Sequence, residues 1–159
     1  MNKLYRFSPI KTEEQLIESI RYIDSQAREL SNKIIKKEYP LSSLTIFSHY
    51  TDEFEQLKEI LFEMGEQQAE NNGPYVKLAN PLVLRGGALK FVRVRKPDPY
   101  RMQVGCCDFN IPNYDEFKSN YLKSNTNKLR LIKRVDYEMI EFFDPDFDIL
   151  AYVVNKPLL

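Results

Sequence analysis

The sequence lacks several residue types on which large classes of sites depend. It has no tryptophan, one histidine, five glycines and two cysteines, which are the neighbours Cys106 and Cys107. Adjacent cysteines cannot form an ordinary structural disulfide with each other, and they do not have the spacing of zinc ligands. One histidine also excludes sites that need a histidine pair. We therefore expect a reducing, cytoplasmic location.

Net charge and long apolar runs are lacking too. Lysine plus arginine equals aspartate plus glutamate at 23 each, so no global field draws the chain onto nucleic acid or an anionic membrane. No stretch approaches the roughly 20 apolar residues of a membrane span, and the first nine residues do not resemble an export signal. We expect neither a membrane nor nucleic acid as a partner.

The composition that is present is typical of a globular domain, with 43% hydrophobic and 29% charged residues. Residues 1–159 are predicted to form a single domain. Its first element is an amphipathic helix over residues 12–37, which Thr12 and Gln15 open with the spacing of a capping box. Apolar residues then recur at steps of three and four, as an α-helix requires: Leu16, Ile20, Ile23, Ala27, Leu30 and Ile34.

Strand and helix patterns alternate twice behind this helix. Residues 43–96 predict a strand at Leu44–Tyr50, a helix, and three further strands that include Tyr75–Leu78 and Leu82–Leu84. Residues 103–155 predict the same order again. The predicted fold class is therefore α+β, with an N-terminal helix followed by two βαβββ units that form a curved mixed sheet.

This duplicated order resembles the vicinal oxygen chelate superfamily, the glyoxalase and bleomycin-resistance group, over Ser43 to Val154. Local similarity is to a poorly characterised bacterial branch that also carries helical sequence before its first unit. It lies in NGPYVKLANPLVL from Asn72, in VGCCDFNIP from Val104, and in YEMIEFFDPDFDILAYV from Tyr137. The resemblance implies a cavity on the concave face of the sheet.

Strand alternation predicts which side chains face that cavity. If Leu44 and Ile46 pack against the helices, the inward set is Thr45, Phe47, His49, Phe91, Arg93, Arg95, Cys106, Asp108, Asn110, Tyr137, Met139, Glu141 and Phe143. Buried charges persist only when they are paired or liganded. The set therefore indicates either an internal ion-pair network or a site for a polar ligand, and the sequence leaves both open.

Two groups of candidate site residues follow from this inward set and from the connector that runs from Arg93 to Arg101. The arginine side chains of the connector could clamp an anion. Alternatively, the connector is a rigid, solvated link between the two units. The candidate acids and bases are His49, Asp108 and Glu141. The candidate ligand-binding residues are Arg93, Arg95, Arg101, Tyr137, Phe47 and Phe91.

The superfamily resemblance also implies a divalent metal held at four strand positions, which map approximately onto Thr45, Arg95, Asp108 and Glu141. Threonine is a poor ligand, and arginine keeps its proton and its positive charge. The ligand set is therefore incomplete and no metal is assigned, although His49 could join the two carboxylates if the strand register differs by one or two residues.

The sequence thus predicts a protein of glyoxalase-like fold that binds a small anionic or polar ligand in the concave face without the usual metal site. One alternative is an interaction module, in which the first helix and the sheet edges bind a second copy or another partner. The other is a divalent-metal-dependent lyase, isomerase or dioxygenase. Whether the protein is an enzyme is left open.

Overall fold

The structure is a computed structural model that describes residues 4–156. Within these residues the chain forms helices α1 to α3, a 3-10 turn at Lys123–Asn125, and strands β1 to β8. The helices are α1 Glu13–Ile35, α2 Thr51–Met64 and α3 Tyr114–Tyr121. The strands are β1 Leu41–Phe47, β2 Gly65–Glu70, β3 Pro74–Leu84, β4 Gly87–Arg95, β5 Gly105–Phe109, β6 Leu129–Lys133, β7 Glu138–Phe142 and β8 Ile149–Val154.

All eight strands belong to one mixed sheet in the order β2-β3-β4-β1-β5-β8-β7-β6. Strands β1 and β5 pair antiparallel at its centre, while β1 pairs parallel with β4 and β5 pairs parallel with β8. The two halves therefore have the same internal arrangement, and β8 occupies in the second unit the place that β4 has in the first. The α+β fold with an N-terminal helix and an eight-stranded mixed sheet is confirmed.

Helix α1 is built as its sequence predicts. Thr12 is the N-cap, and its hydroxyl accepts a hydrogen bond from the Gln15 backbone N–H at 3.1 Å. The helix ends where Lys36 adopts the left-handed conformation with φ of 56°. The apolar stripe packs on the back of the sheet against β1, β5, β7 and β8. This helix therefore covers the junction of the two units and leaves the other sheet face open.

The stripe of α1 also carries one charged pair. Asp24 and Arg28 are each 4% exposed at the side chain, and Arg28 Nε lies 3.2 Å from Asp24 Oδ1. A side chain at Gly86 would collide with the Arg28 guanidinium. The turn between β3 and β4 is therefore packed directly on this buried ion pair.

Strand β2 corrects the predicted layout of the first unit. Tyr75–Leu78 and Leu82–Leu84 were predicted as two strands, whereas both belong to β3, whose pairing with β4 is irregular between Lys77 and Leu82. The remaining strand is β2, with the polar sequence GEQQAE. Because most side chains of this edge strand are exposed, its sequence has no alternation of apolar residues. The sequence of β2 therefore cannot be distinguished from that of a polar loop.

None of the helices within residues 4–156 has the length and apolar character needed to cross a membrane.

Candidate concave-face binding site

The open face of the sheet holds a cavity of about 920 Å³. This volume lies within the range of small-molecule sites. The predicted alternation places most of the inward set on its wall, because consecutive strand residues point to opposite faces. The predicted candidates that line the cavity are Phe47, Arg93, Arg95, Arg101, Asp108 and Tyr137.

Three predicted site residues lie outside this cavity. Strand β1 ends at Phe47, so the alternation does not extend to His49. Glu141 lies on β7, paired with Tyr152 of β8, and does not line the cavity. Phe91 lines a neighbouring hollow of about 280 Å³ that shares the walls formed by Tyr75 and Asp108.

Arg93 is held at three points on the first-unit side of the cavity. Its Nε donates to Thr45 Oγ1 at 3.1 Å, and its Nη1 donates to the carbonyl oxygen of Asn71 at 2.7 Å. The guanidinium lies over the Tyr75 ring, 5.0 Å from the centroid. These contacts fix its position without neutralising its charge.

Arg95 lies one inward position further along β4. Its guanidinium is over the Phe47 ring at 4.4 Å, and Nη2 lies 3.3 Å from Asp98 Oδ2. Burial lowers the pKa of Arg95, and the nearby charge of Arg101 lowers it further. Both causes disfavour the positive charge, so an anion bound between these arginines would relieve their repulsion.

Arg101 reaches the cavity from the connector between the two units. That connector is anchored by two hydrogen bonds: Tyr5 Oη donates to the Pro99 carbonyl oxygen at 2.6 Å, and the Asp98 backbone N–H donates to the Ser48 carbonyl oxygen at 3.2 Å. The predicted rigid connector and the predicted anion clamp are therefore compatible, since anchoring of the loop places Arg101 on the cavity wall.

Burial shifts the pKa values of three titratable groups on the cavity wall toward their neutral forms. Asp108 accepts a hydrogen bond from Ser43 Oγ at 3.1 Å, and burial raises the pKa of its carboxyl group despite the nearby Arg93. Burial likewise raises the pKa of Cys106 to about 11 and the pKa of Tyr152 above its usual value. Cys106 is therefore a thiol near neutral pH and a poor nucleophile.

These contacts bear on the first of the two interpretations, an internal ion-pair network. Among the charged side chains of residues 4–156, no carboxylate forms an ion pair with Arg93 or Arg101, and Asp108 has no cationic partner. Arg95 pairs only with Asp98, which lies on the connector and is 36% exposed. A closed internal ion-pair network is therefore not formed by these residues.

His49 belongs to a different part of the molecule. Its ring is stacked on Tyr5 with 3.8 Å between centroids, and its Nδ1 lies 2.6 Å from Ser8 Oγ. Both partners come from the segment before α1, which covers the end of β1. His49 therefore anchors this segment, and it does not line the cavity toward which the alternation predicted it to point.

We expect the free energy of unfolding to fall at acidic pH in part because of His49. Burial lowers the pKa of His49 from its ordinary value of 6.5, so the unfolded chain takes up this proton first. The stabilisation by neutral His49 is fully present above pH 6.5 and is lost as the pH falls through the lowered folded value. Urea unfolding across this pH range should show that the free energy of unfolding of the wild type exceeds that of His49→Phe by an amount that shrinks on acidification. A difference independent of pH would contradict this assignment.

The cavity also contains residues that the sequence analysis did not assign to the site. Tyr152 of β8 could have been found, because the alternation used for β4 applies equally to this strand. Asn71 lies in the turn after β2, a strand that the sequence pattern did not predict. Arg134 and Lys156 line the mouth from the β6–β7 turn and from the chain beyond β8, where no strand pattern indicates direction.

The residues at the four expected metal positions do not fit a divalent cation. Thr45 Oγ1 is occupied by the hydrogen bond from Arg93, and Arg95 brings a positive charge. Glu141 lies on β7, whereas the symmetry of the units would take the fourth ligand from β8. Residues 4–156 contain no cluster of three or more histidine, cysteine, aspartate or glutamate side chains arranged to hold a metal.

Comparison with known proteins gives similarity in structure alone. No family model and no curated protein matches the sequence. A structural-genomics structure of a protein called EC4020 is 12% identical, with 99% of this chain and 93% of that chain covered at a TM-score of 0.71. At this identity the match shows a shared overall fold.

Methylmalonyl-CoA epimerases are among the other similar structures. The enzyme from Streptomyces coelicolor, in complex with 2-nitronate-propionyl-CoA, is 12% identical, with 74% of this chain and 97% of that chain covered at a TM-score of 0.41. The enzyme from Mycobacterium tuberculosis is 16% identical, with 72% and 86% covered at a TM-score of 0.39. These scores are too low to support a conclusion about this chain.

Proposed function

We propose that the protein binds a small anionic ligand in the concave cavity. The observation that carries the proposal is the pair of half-buried cations Arg93 and Arg95 on the cavity wall, near the exposed Arg101; the only ion pair of these arginines among the described residues joins Arg95 to Asp98. Positive charges that are partly removed from water repel each other unless an anion joins them. Arginine forks suit carboxylate and phosphate groups in particular.

We also propose that the chain is a member of the vicinal oxygen chelate superfamily. The support is the order of two βαβββ units joined through β1 and β5 in one sheet, which is the order that the sequence resemblance implies. Membership does not require metal chemistry here. The misfit at Thr45 and Arg95 instead favours a metal-independent use of the cavity.

Asp108 is the residue best placed for proton transfer if the bound ligand reacts. It lies on the cavity wall, and its raised pKa brings the carboxyl group closer to the neutral range in which an acid or base acts. The adjacent Cys106 is protonated and Glu141 lies outside the wall. A reaction at this site would therefore use one carboxyl group and the arginines.

The test is anion binding by Arg95→Gln, compared with the wild type and with the control Lys123→Gln. Lys123 is exposed in the 3-10 turn and does not line the cavity, so its replacement removes the same charge without changing the cavity wall. We expect calorimetric titration with hexanoate, benzoate and hexyl phosphate to show binding to the wild type. Loss of one charged hydrogen bond should weaken this binding about tenfold or more in Arg95→Gln and leave Lys123→Gln unchanged.

The stability of Arg95→Gln provides the result that would contradict the proposal. Arg95 has one half-exposed partner, so Arg95→Gln should change the free energy of unfolding by less than about 1 kcal/mol. A loss of about 3–5 kcal/mol, as for a broken buried ion pair, with no binding of any of the three anions to the wild type, would mean that the arginines are structural and would overturn the proposal.

A further inference from the structure

The two halves of the concave face differ in chemistry although they are built alike. Strand β4 presents Arg93 and Arg95 to the cavity. Strand β8, which has the same place in the second unit, presents Leu150, Tyr152 and Val154. A ligand that spans the cavity from β4 to β8 therefore meets cations on the β4 wall and mainly apolar groups on the β8 wall.

The first-unit half offers charge rather than apolar surface. Its aromatic rings lie beneath the guanidinium groups, with Arg93 over Tyr75 and Arg95 over Phe47. Stacking of a cation on a ring covers the ring face and leaves the N–H edges of the guanidinium available as donors. This half is therefore suited to a carboxylate or phosphate group.

The wall formed by β7 and β8 in the second unit offers apolar surface. Met139 of β7 joins Leu150 and Val154 on the wall, and all three side chains are only partly buried, so a ligand can cover them further. Glu141 lies beside Tyr152 just beyond this wall and contributes to the raised pKa of the tyrosine. A negative charge at that place disfavours an anionic head group there.

Two further cations lie on the second-unit side without changing this asymmetry. Arg134 and Lys156 line the cavity mouth together with the carboxylate of Asp136, and all three are exposed. Their charges are screened by water and salt more strongly than those of the half-buried Arg93 and Arg95. The two cations attract an anion toward the mouth and do not select where its head group is held.

We propose that the ligand is an amphipathic anion, with its carboxylate or phosphate held by Arg93 and Arg95 and its apolar body lying on Met139, Leu150 and Val154. This inference rests on the proposed function and adds the ligand class and the orientation. Removal of apolar surface from water supplies affinity that a bare anion lacks. Affinity should therefore depend on chain length as well as on charge.

Two homologous series test the inference on the full-length protein: the carboxylates from acetate to hexanoate, and the alkyl phosphates from methyl to hexyl phosphate. Each methylene that becomes buried should tighten binding about fourfold. Comparison of the two series identifies the preferred head group. Neutral hexanamide should bind far more weakly than hexanoate, and equal binding would overturn the assigned head-group contact.

Variants separate the two halves. Val154→Thr keeps the shape of the side chain but replaces one methyl group by a hydroxyl, so the gain in affinity per methylene should fall. Val83→Thr, at a position 76% exposed, should leave this gain unchanged. If Val154→Thr does not fold, Met139→Gln replaces it. Arg95→Gln should weaken every member of a series by the same factor. Binding without any dependence on chain length would overturn this inference alone, whereas no binding at any length would overturn the proposed function as well.

Discussion

Asp24→Ala is expected to lower the free energy of unfolding by about 3–5 kcal/mol, among the largest effects of any single change in this chain. The substitution leaves the Arg28 guanidinium without its carboxylate between α1 and the β3–β4 turn, where the side chain is 4% exposed. Gly86 has no side chain because that guanidinium occupies the space above it. The charge therefore cannot reach water unless the turn moves.

A double variant separates the cost of an orphaned charge from the value of the pair. Asp24→Leu combined with Arg28→Met should recover most of the lost stability, because apolar groups of similar size avoid the desolvation of both charges. The control is Glu55→Ala, which breaks the exposed pair with Lys58 on α2 and should cost less than about 1 kcal/mol. Urea unfolding of the variants measures these differences. Equal costs for Asp24→Ala and Glu55→Ala would show that Arg28 finds water, contrary to its packing.

The parts of the fold that were predictable are those with an apolar period. The stripe of α1 from Leu16 to Leu30 and the alternation of β4 are set by burial on one face, so their side-chain directions follow from the sequence; β5 is buried on both faces, and its directions follow only from the period of two. The same alternation placed Arg93, Arg95 and Asp108 on the cavity wall. Strand β2 has no such period, because its pairing comes from the edge of β3 and its side chains are mostly exposed.

The parts of the site that were not predictable depend on contacts between distant segments. Nothing near His49 in the sequence indicates that Tyr5 and Ser8 will cover it, because those residues precede it by about forty positions. Alternation also carries no information on where a strand ends, and β1 ends two residues before the histidine. Side-chain direction could thus be inferred within strands and not beyond them.

A buried carboxylate holds the segment before α1 in place. Glu53 lies in the first turn of α2, with Oε2 accepting from the Ile10 backbone N–H at 2.6 Å and Oε1 accepting from the His49 backbone N–H at 2.8 Å. Both bonds are buried. One side chain therefore joins the N-terminal segment, the end of β1 and the start of α2.

Glu53→Ala should lower the free energy of unfolding by roughly 2–5 kcal/mol, because it leaves two buried backbone donors without an acceptor. Glu53→Gln should cost less, since its single amide oxygen can accept one of the two bonds.

The control is Glu59→Ala, an exposed position on the same helix. Urea unfolding measures the stability, and hydrogen exchange at the Ile10 and His49 amides reports the local contacts. The two amides should exchange faster in Glu53→Ala than in Glu59→Ala, because the carboxylate shields both of them. Unchanged exchange together with a cost equal to that of Glu59→Ala would mean that other groups, and not Glu53, hold the segment in place.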